Sequence, residues 1–419
     1  MPTVVFASSH LGTGGTERGM ATQALALDRQ RFDVRILGVH GSGPRHKLFE
    51  AAGLPVAVGN GQFDRLVELL RGVDVVVHLR RGDAAPLLPA ACRRAAVAHL
   101  IDWNIFGQVD RSPDEPKFAC HLFTSKTTQL RYRLRVGDQS ARFHYRHRVH
   151  YLPVDLALCD RAPDRADAKR RFGLDPDRPV VGRGGRPVDV KWRNLLVDMV
   201  PDLVRAVPDV QLLLAGATAA KLRRLRRRGV LDRCTLVEQT LDEDRLAAFY
   251  AACDVLASAS EIGETQGLAN LEAMSLGVPV ITCSTPWADN AQVEFVEHGR
   301  AGLVANHPRS FAEAVAALLL DAELRERLGA NARSAVCRQF DPQAQARQLE
   351  RLFTSLISEG RVPSEWAPSP ADVDAFGHEY RRRVGLQHRP LRRGERVEAA
   401  ASRLRERLAR PMRPWLGRA

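Results

Sequence analysis

From Asp254 to Thr282 the chain reads strand, glycine turn, helix, strand, an order that confines it to a fold with parallel strands. The apolar run Asp254-Val255-Leu256-Ala257 reads as a buried strand. Gly263 and Gly267 break the polar turn behind it. A short helix over about Leu268–Leu276 ends at Gly277. Val278–Ile281 is a second strand, opened by Pro279, where a missing amide proton does little harm. A unit of this kind presents ligands at the carboxyl ends of its strands.

Two carboxylates sit in the unit. Glu264 lies in the turn and Glu272 about one turn into the helix. The amides near Gly267 and Leu268 open the helix and favour an anion such as a phosphate. The carboxylates repel phosphate and suit hydroxyl donors instead. A nucleotide sugar, with phosphates between two hydroxyl-rich sugars, satisfies all three features. The spacing alone favours a solvated loop residue at Glu264 and a solvated helix residue at Glu272, so the surrounding residues must decide.

The string Glu264-Thr-Gln-Gly267-Leu268-Ala-Asn-Leu-Glu272 resembles the Glu-x7-Glu signature of retaining glycosyltransferases of family 4. That family usually has Gly and Phe where this chain has Thr265 and Gln266, a departure at the sugar pocket that leaves both carboxylates and the turn glycine in place. The resemblance implies an α/β protein of GT-B fold: two Rossmann-like doubly wound domains facing a central cleft. It also implies transfer of a sugar from a nucleotide diphosphate donor to an acceptor hydroxyl, with retention of anomeric configuration.

A chain of 419 residues is too long for one ordinary core and implies two or three domains. No apolar run is long enough to span a bilayer, and the N-terminus enters a strand, Thr3 to Ala7, without the features of a signal peptide. Seven scattered cysteines, without Cys-x-x-Cys or a His/Cys cluster, suit reduced thiols in a cytoplasm and argue against a zinc site. The net charge of +13 favours acidic partners.

Taken in order, residues 3–9 form a strand, Leu11–Arg18 a glycine-rich loop, about Arg18–Gln30 a helix and Asp33–Val39 a strand. The loop glycines allow close backbone approach to a ligand, although a plain strand-to-helix turn explains them equally well. Gly14-Gly15-Thr-Glu17-Arg18 resembles the Gly-Gly-Ala-Glu-Arg loop of the same family, which borders the catalytic cleft. Strands near Val73–Val77 and Val97–Ile101 continue the alternation. By resemblance, a histidine of this domain faces the donor sugar. His99, ending the run Ala95-Ala-Val-Ala, is the better match, and His78 is its competitor. Arg131 to Arg148 interleaves Arg and His with Tyr132, Phe143 and Tyr145. It lacks the signature of a nucleic-acid module and reads as a basic cleft wall or a solvated face.

The first domain leaves through Tyr151-Leu-Pro153-Val-Asp155, and the charged segment Cys159–Arg178 reads as a linker. Strand–helix alternation then resumes from Val180 to about Ala252. Arg186 and Lys191, spaced Gly-Arg-x4-Lys, resemble the family's phosphate clamp. Two fixed cations after a strand neutralise the charge that grows on a diphosphate leaving group. The loop Pro286–Gln292 offers Asp289, Asn290 and Gln292 either to a ligand or to its own turn.

The resulting division is residues 1–155 for acceptor binding, 156–341 for the nucleotide sugar, 342–358 as a helix crossing back, and 359–419 as a basic extension. Residues 361–419 hold fourteen Arg against seven acidic residues. Arg396–Ala409 has Val397, Ala401, Leu404 and Leu408 on one helical face, which suits either a peripheral membrane contact or a solvated tail.

By this reading Arg186 and Lys191 hold the diphosphate, Glu272 the ribose and Glu264 the donor sugar, with His99 near the reacting carbon. Gly267, Leu268, Gly14 and Gly15 border the ligand. The acceptor implied is a saccharide or a lipid-linked saccharide, no metal or other cofactor is required, and the location is cytoplasmic, with or without membrane association. A nucleotide-sugar epimerase or phosphorylase of the same fold is the nearest alternative. A non-catalytic membrane- or nucleic-acid-binding protein working through its tail is the more distant one.

Overall fold

Short runs of Val, Ile, Leu and Ala, buried on both faces, form parallel strands because helices cover each side of the sheet. The computed structural model describes residues 1–80, 82, 85–136, 146–363, 375 and 377–378. The first sheet contains β1 (Thr3–Ser8), β2 (Asp33–Gly38), β3 (Val56–Val58), β4 (Val75–Arg80), β5 (His99–Asn104), β6 (Phe118–Phe123) and β7 (His147–Val149). Its strand order is β3-β2-β1-β4-β5-β6-β7, and every pair is parallel. The second sheet contains β8 (Val180–Arg183), β9 (Gln211–Ala215), β10 (Cys234–Val237), β11 (Val255–Ser258), β12 (Val280–Thr282) and β13 (Gly302–Val304). Its order is β10-β9-β8-β11-β12-β13, again all parallel.

Both sheets reverse their strand order beside their first strand, between β1 and β4 and between β8 and β11. Ligand crevices open outside the carboxyl ends of strands at such switch points. The carboxyl ends concerned are those of Ser8, Arg80, Arg183 and Ser258. The doubly wound two-domain architecture expected from the sequence is therefore present, and its two switch points fix where a ligand can be held.

The chain passes between the domains through Leu152–Val154 and returns near Phe340. The Val154 amide donates to the Phe340 carbonyl at 3.0 Å, and the Tyr151 and Phe340 rings lie 5.0 Å apart. Asp341 caps the helix Pro342–Glu359, accepting from the Ala344 amide at 2.7 Å. This helix lies on the first domain. Its Glu350 accepts from the Asp28 amide at 2.9 Å, and Phe353 meets Phe32 edge-to-face.

Two readings change. The segment Cys159–Arg178 is not a bare linker: it holds helices Leu158–Arg161 and Arg165–Arg171. Asp164 caps the second, and buried Lys169 pairs with Asp254 at 3.0 Å, fastening the segment to the second domain. The strand expected at Val97–Ile101 is displaced. Ala95 caps the helix Leu87–Arg94, Ala96 turns with φ +56°, and the strand runs His99–Asn104. Phe143 and Tyr145 of the basic segment, and the tail residues Arg396–Ala409, lie outside the described residues. No helix among the described residues is long and apolar enough to cross a membrane.

Candidate active site

The two switch points face each other across a cleft of about 380 Å3. One wall is the start of α1 (Gly15–Ala26), where Gly14 is the N-cap. The other is formed by the loops that follow β8 and β11. A neighbouring chamber of about 470 Å3 lies over the carboxyl ends of β1 and β4 and shares Gly14, Gly15, Phe106 and Arg186 with the cleft.

Gly267 has φ +82° and opens the helix Leu268–Ser275 from the left-handed region, which glycine enters without steric cost. A Cβ here would also crowd Glu264, at 3.3 Å. Leu268 meets Gly15 across the cleft, 3.4 Å from where a Gly15 Cβ would stand. The two loops therefore meet where the sequence requires glycine.

Glu272 is buried, with both oxygens engaged. Oε1 lies 2.7 Å from Nε of Arg18 on α1, and Oε2 accepts from the Tyr250 hydroxyl at 2.8 Å. Burial, and then the Glu272 carboxylate, push the Tyr250 hydroxyl well above its ordinary pKa, so it stays a donor. Each Glu272 oxygen keeps a second lone pair for a ligand. Glu264 pairs with Lys191 instead: Nζ lies 2.8 Å from Oε2 and 3.4 Å from the Gly263 carbonyl. Arg186 is exposed, lines both cavities and has no side-chain hydrogen bond or ion pair among the described residues.

His99 does not belong to the site. It stands at the amino end of β5, opposite the cleft, and lines neither cavity. The apolar run before it is the turn into the strand, not the strand itself. His78 sits in the carboxyl half of β4 and lines the chamber. Burial, followed by the nearby Arg80, pulls it down to about 3, so the ring is neutral.

Asp289 lines the cleft and pairs with Arg131 of the first domain. Burial outweighs that pairing and pushes its carboxyl up to about 6. Thr265 and Gln266 turn out to hold the domains together. Gln266 Oε1 accepts from the Leu152 amide at 2.8 Å, and its Nε2 donates to the Leu152 carbonyl at 2.6 Å. The Thr265 carbonyl accepts from the Thr124 and Thr128 hydroxyls, each at 3.4 Å.

Arg18, Arg45, Arg183 and Tyr250 also line the cleft; Arg18 was signalled by the family-like loop that ends on it, and sequence reasoning had given the other three no role. Arg183 had a readable signal, as a cation closing a buried strand just before a Gly-Gly turn. Arg45 and Tyr250 had none: Arg45 stands just before a short helix, and Tyr250 meets Glu272 from a helix distant in sequence. Burial pulls the Arg45 guanidinium down to about 10, with Arg18 adding to the effect. Among the described residues, the group with metal-ligand spacing is Glu115, His121 and His147, and it lines neither cavity.

Two parallel-sheet domains facing a cleft across their switch points define the GT-B architecture. Residues 178–321 match the sequence profile of the family described as glycosyl transferases group 1. D-inositol 3-phosphate glycosyltransferase of Corynebacterium jeikeium (strain K411) is 30% identical over 212 residues, 48% of this chain and 49% of that protein. Alpha-D-kanosaminyltransferase of Streptomyces kanamyceticus is 29% identical over 216 residues, 50% and 54% of the two. The chain thus spans about half the length of the curated relatives it matches. Among solved structures, Anabaena Alr3699/HepE in complex with UDP and glucose superposes with a TM-score of 0.70 at 20% identity, covering 85% of this chain and all of that one. WaaG, a glycosyltransferase involved in lipopolysaccharide biosynthesis, superposes at 0.59 and 14% identity, with 85% of this chain and all of that one covered. At these identities the superpositions establish the fold.

Proposed function

We propose that the protein transfers a sugar from a nucleotide diphosphate donor to an acceptor hydroxyl. The observation that carries this reading is the convergence on one cleft of two cations, Arg186 and Lys191, with two carboxylates, Glu264 and Glu272. The cations stabilise the charge that develops on the departing diphosphate. They do so without a metal, alongside the helix end at Gly267–Leu268. Glu272, fixed by Arg18 and Tyr250, accepts from ribose hydroxyls. Glu264 accepts from a donor-sugar hydroxyl once Lys191 has turned to phosphate. The chamber over β1 and β4 takes the acceptor, which the relatives suggest is a saccharide or a lipid-linked saccharide. Retention of configuration follows the resemblance to family 4.

In the reaction the bond from the sugar's anomeric carbon to the diphosphate oxygen breaks, and a bond to the acceptor oxygen forms. The acceptor proton ends on the released nucleoside diphosphate. The adjoining chamber favours transfer over an epimerase, which needs no second substrate. Release of free diphosphate only when an acceptor is added tests the reading; equal release without acceptor would argue against it. The basic residues 361–419 support a peripheral contact with an anionic membrane, tested by vesicle co-sedimentation of the full chain and of a chain ending at Gly360.

A further inference from the structure

Arg183 ends β8 inside the wall of the cleft. It is 5% exposed and has no carboxylate partner among the described residues. Its Nη2 donates to the Lys191 carbonyl, its Nε has no hydrogen-bond partner, and the guanidinium lies 4.8 Å from the Trp192 ring centroid. Gly185, in the loop that carries Arg186, has φ +153°, and a Cβ there would stand 2.8 Å from Arg183 Nη1. The guanidinium therefore lies directly beneath the Gly184–Gly185 turn, tied to the backbone of one clamp cation, Lys191, and under the loop that carries the other, Arg186.

An unpaired buried cation is costly, since desolvation is repaid only when an opposite charge arrives with good geometry. Burial pulls Arg183 down to about 10, which still leaves it charged at neutral pH. The Glu264 carboxylate, the strongest anionic influence on it, is already paired with Lys191. A structural arginine on an apolar floor is normally matched to a carboxylate, whereas this one faces a loop with an excess of positive charge. The missing anion is the ligand's.

We infer that Arg183 is a third, buried cation of the diphosphate subsite, and that it makes the cleft select nucleoside diphosphates over monophosphates. The inference rests on the donor reading above and deepens it. Arg183 acts in two ways: it places charge beneath the loop that wraps the diphosphate, and it fixes the Lys191 backbone from which the second cation reaches out.

The test titrates the full chain with uridine and guanosine as free nucleoside, monophosphate and diphosphate. Wild type should favour one diphosphate over its monophosphate by at least about thirtyfold. In Arg183→Gln that ratio should fall at least about tenfold, while monophosphate affinity stays within about threefold. Arg183→Lys keeps the charge without the fork and should restore most of the ratio. A Gln variant that keeps the wild-type ratio, or loses monophosphate and diphosphate affinity equally, would overturn the inference. Should the Gln variant not fold, loss of the ratio in a folded Lys variant would do the same, because charge would then not be the agent. Wild type that binds neither nucleotide series would instead sink the donor reading itself.

Discussion

Arg18 Nε and Glu272 Oε1 meet at 2.7 Å across the cleft, an ion pair joining the first helix of one domain to the binding helix of the other. Both side chains are nearly buried, at 10% and 6% exposure. Removing one partner leaves the other charge uncompensated, at a cost of about 3–5 kcal/mol. Arg18→Ala should therefore lower unfolding stability by that amount, read from urea denaturation, and should also weaken nucleotide binding because Glu272 loses its fixed orientation. Unchanged stability would show that the domains do not depend on this pair.

Lys191 and Glu264 neutralise each other at 2.8 Å. If Lys191 moves to phosphate when the donor binds, the two substitutions must act differently. Lys191→Ala should weaken diphosphate binding, whereas Glu264→Gln should leave it nearly intact and lower transfer about 100-fold or more. Calorimetry for binding and acceptor-dependent diphosphate release for turnover separate the two. Equal loss of binding in both variants would contradict the division of labour.

Asp289 gives a pH prediction with a definite sign. Its carboxyl is raised from 3.8 to about 6 by burial, so the folded state holds the proton to higher pH than the unfolded state. Stability must then fall as pH rises between about 4 and 6, because the unfolded state binds fewer protons in that window. The effect is at most about 3 kcal/mol. Urea midpoints of wild type and Asp289→Asn across this range should show the slope in wild type and its loss in the variant.

Much of the fold was legible because buried parallel strands are continuous apolar runs, as at Val75–Val77 and Val255–Ala257. Phe118–Phe123 escaped notice because its run is interrupted by His121, whose burial depends on Asp102 and Glu115 elsewhere in the chain. The cleft residues Gly267, Glu272, Arg186 and Lys191 were legible through motif spacing, which records local backbone geometry. His99 was misplaced by a shift of the strand start, enough to exchange the cleft end of a strand for the opposite one. Arg18 works through a contact made only when the two domains meet, whereas Tyr250 and Arg183 work through packing inside the second domain, on Glu272 and on the Lys191 carbonyl, partners that no local pattern names.

Glu294 of the second domain caps a helix of the first. Its carboxylate accepts from the Lys126 and Thr127 amides at 3.2 and 2.9 Å and from the Thr127 hydroxyl at 2.9 Å, at the start of the helix Lys126–Val136. Glu294→Ala strips the donors of buried Thr127 of their acceptor and should lower stability by about 1–3 kcal/mol. Glu294→Gln, which keeps one acceptor oxygen, should fall between. Differential scanning calorimetry checks the order of the three proteins, and an alanine variant as stable as wild type would remove this contact from the account.

Calorimetric titration of the full chain with UDP, GDP, ADP and TDP, repeated on Arg186→Ala, tests the central claim most directly. One diphosphate should bind, and the substitution should weaken it at least about tenfold, equivalent to about 1.4 kcal/mol. No binding of any diphosphate to wild type, or equal binding to the variant, would contradict it.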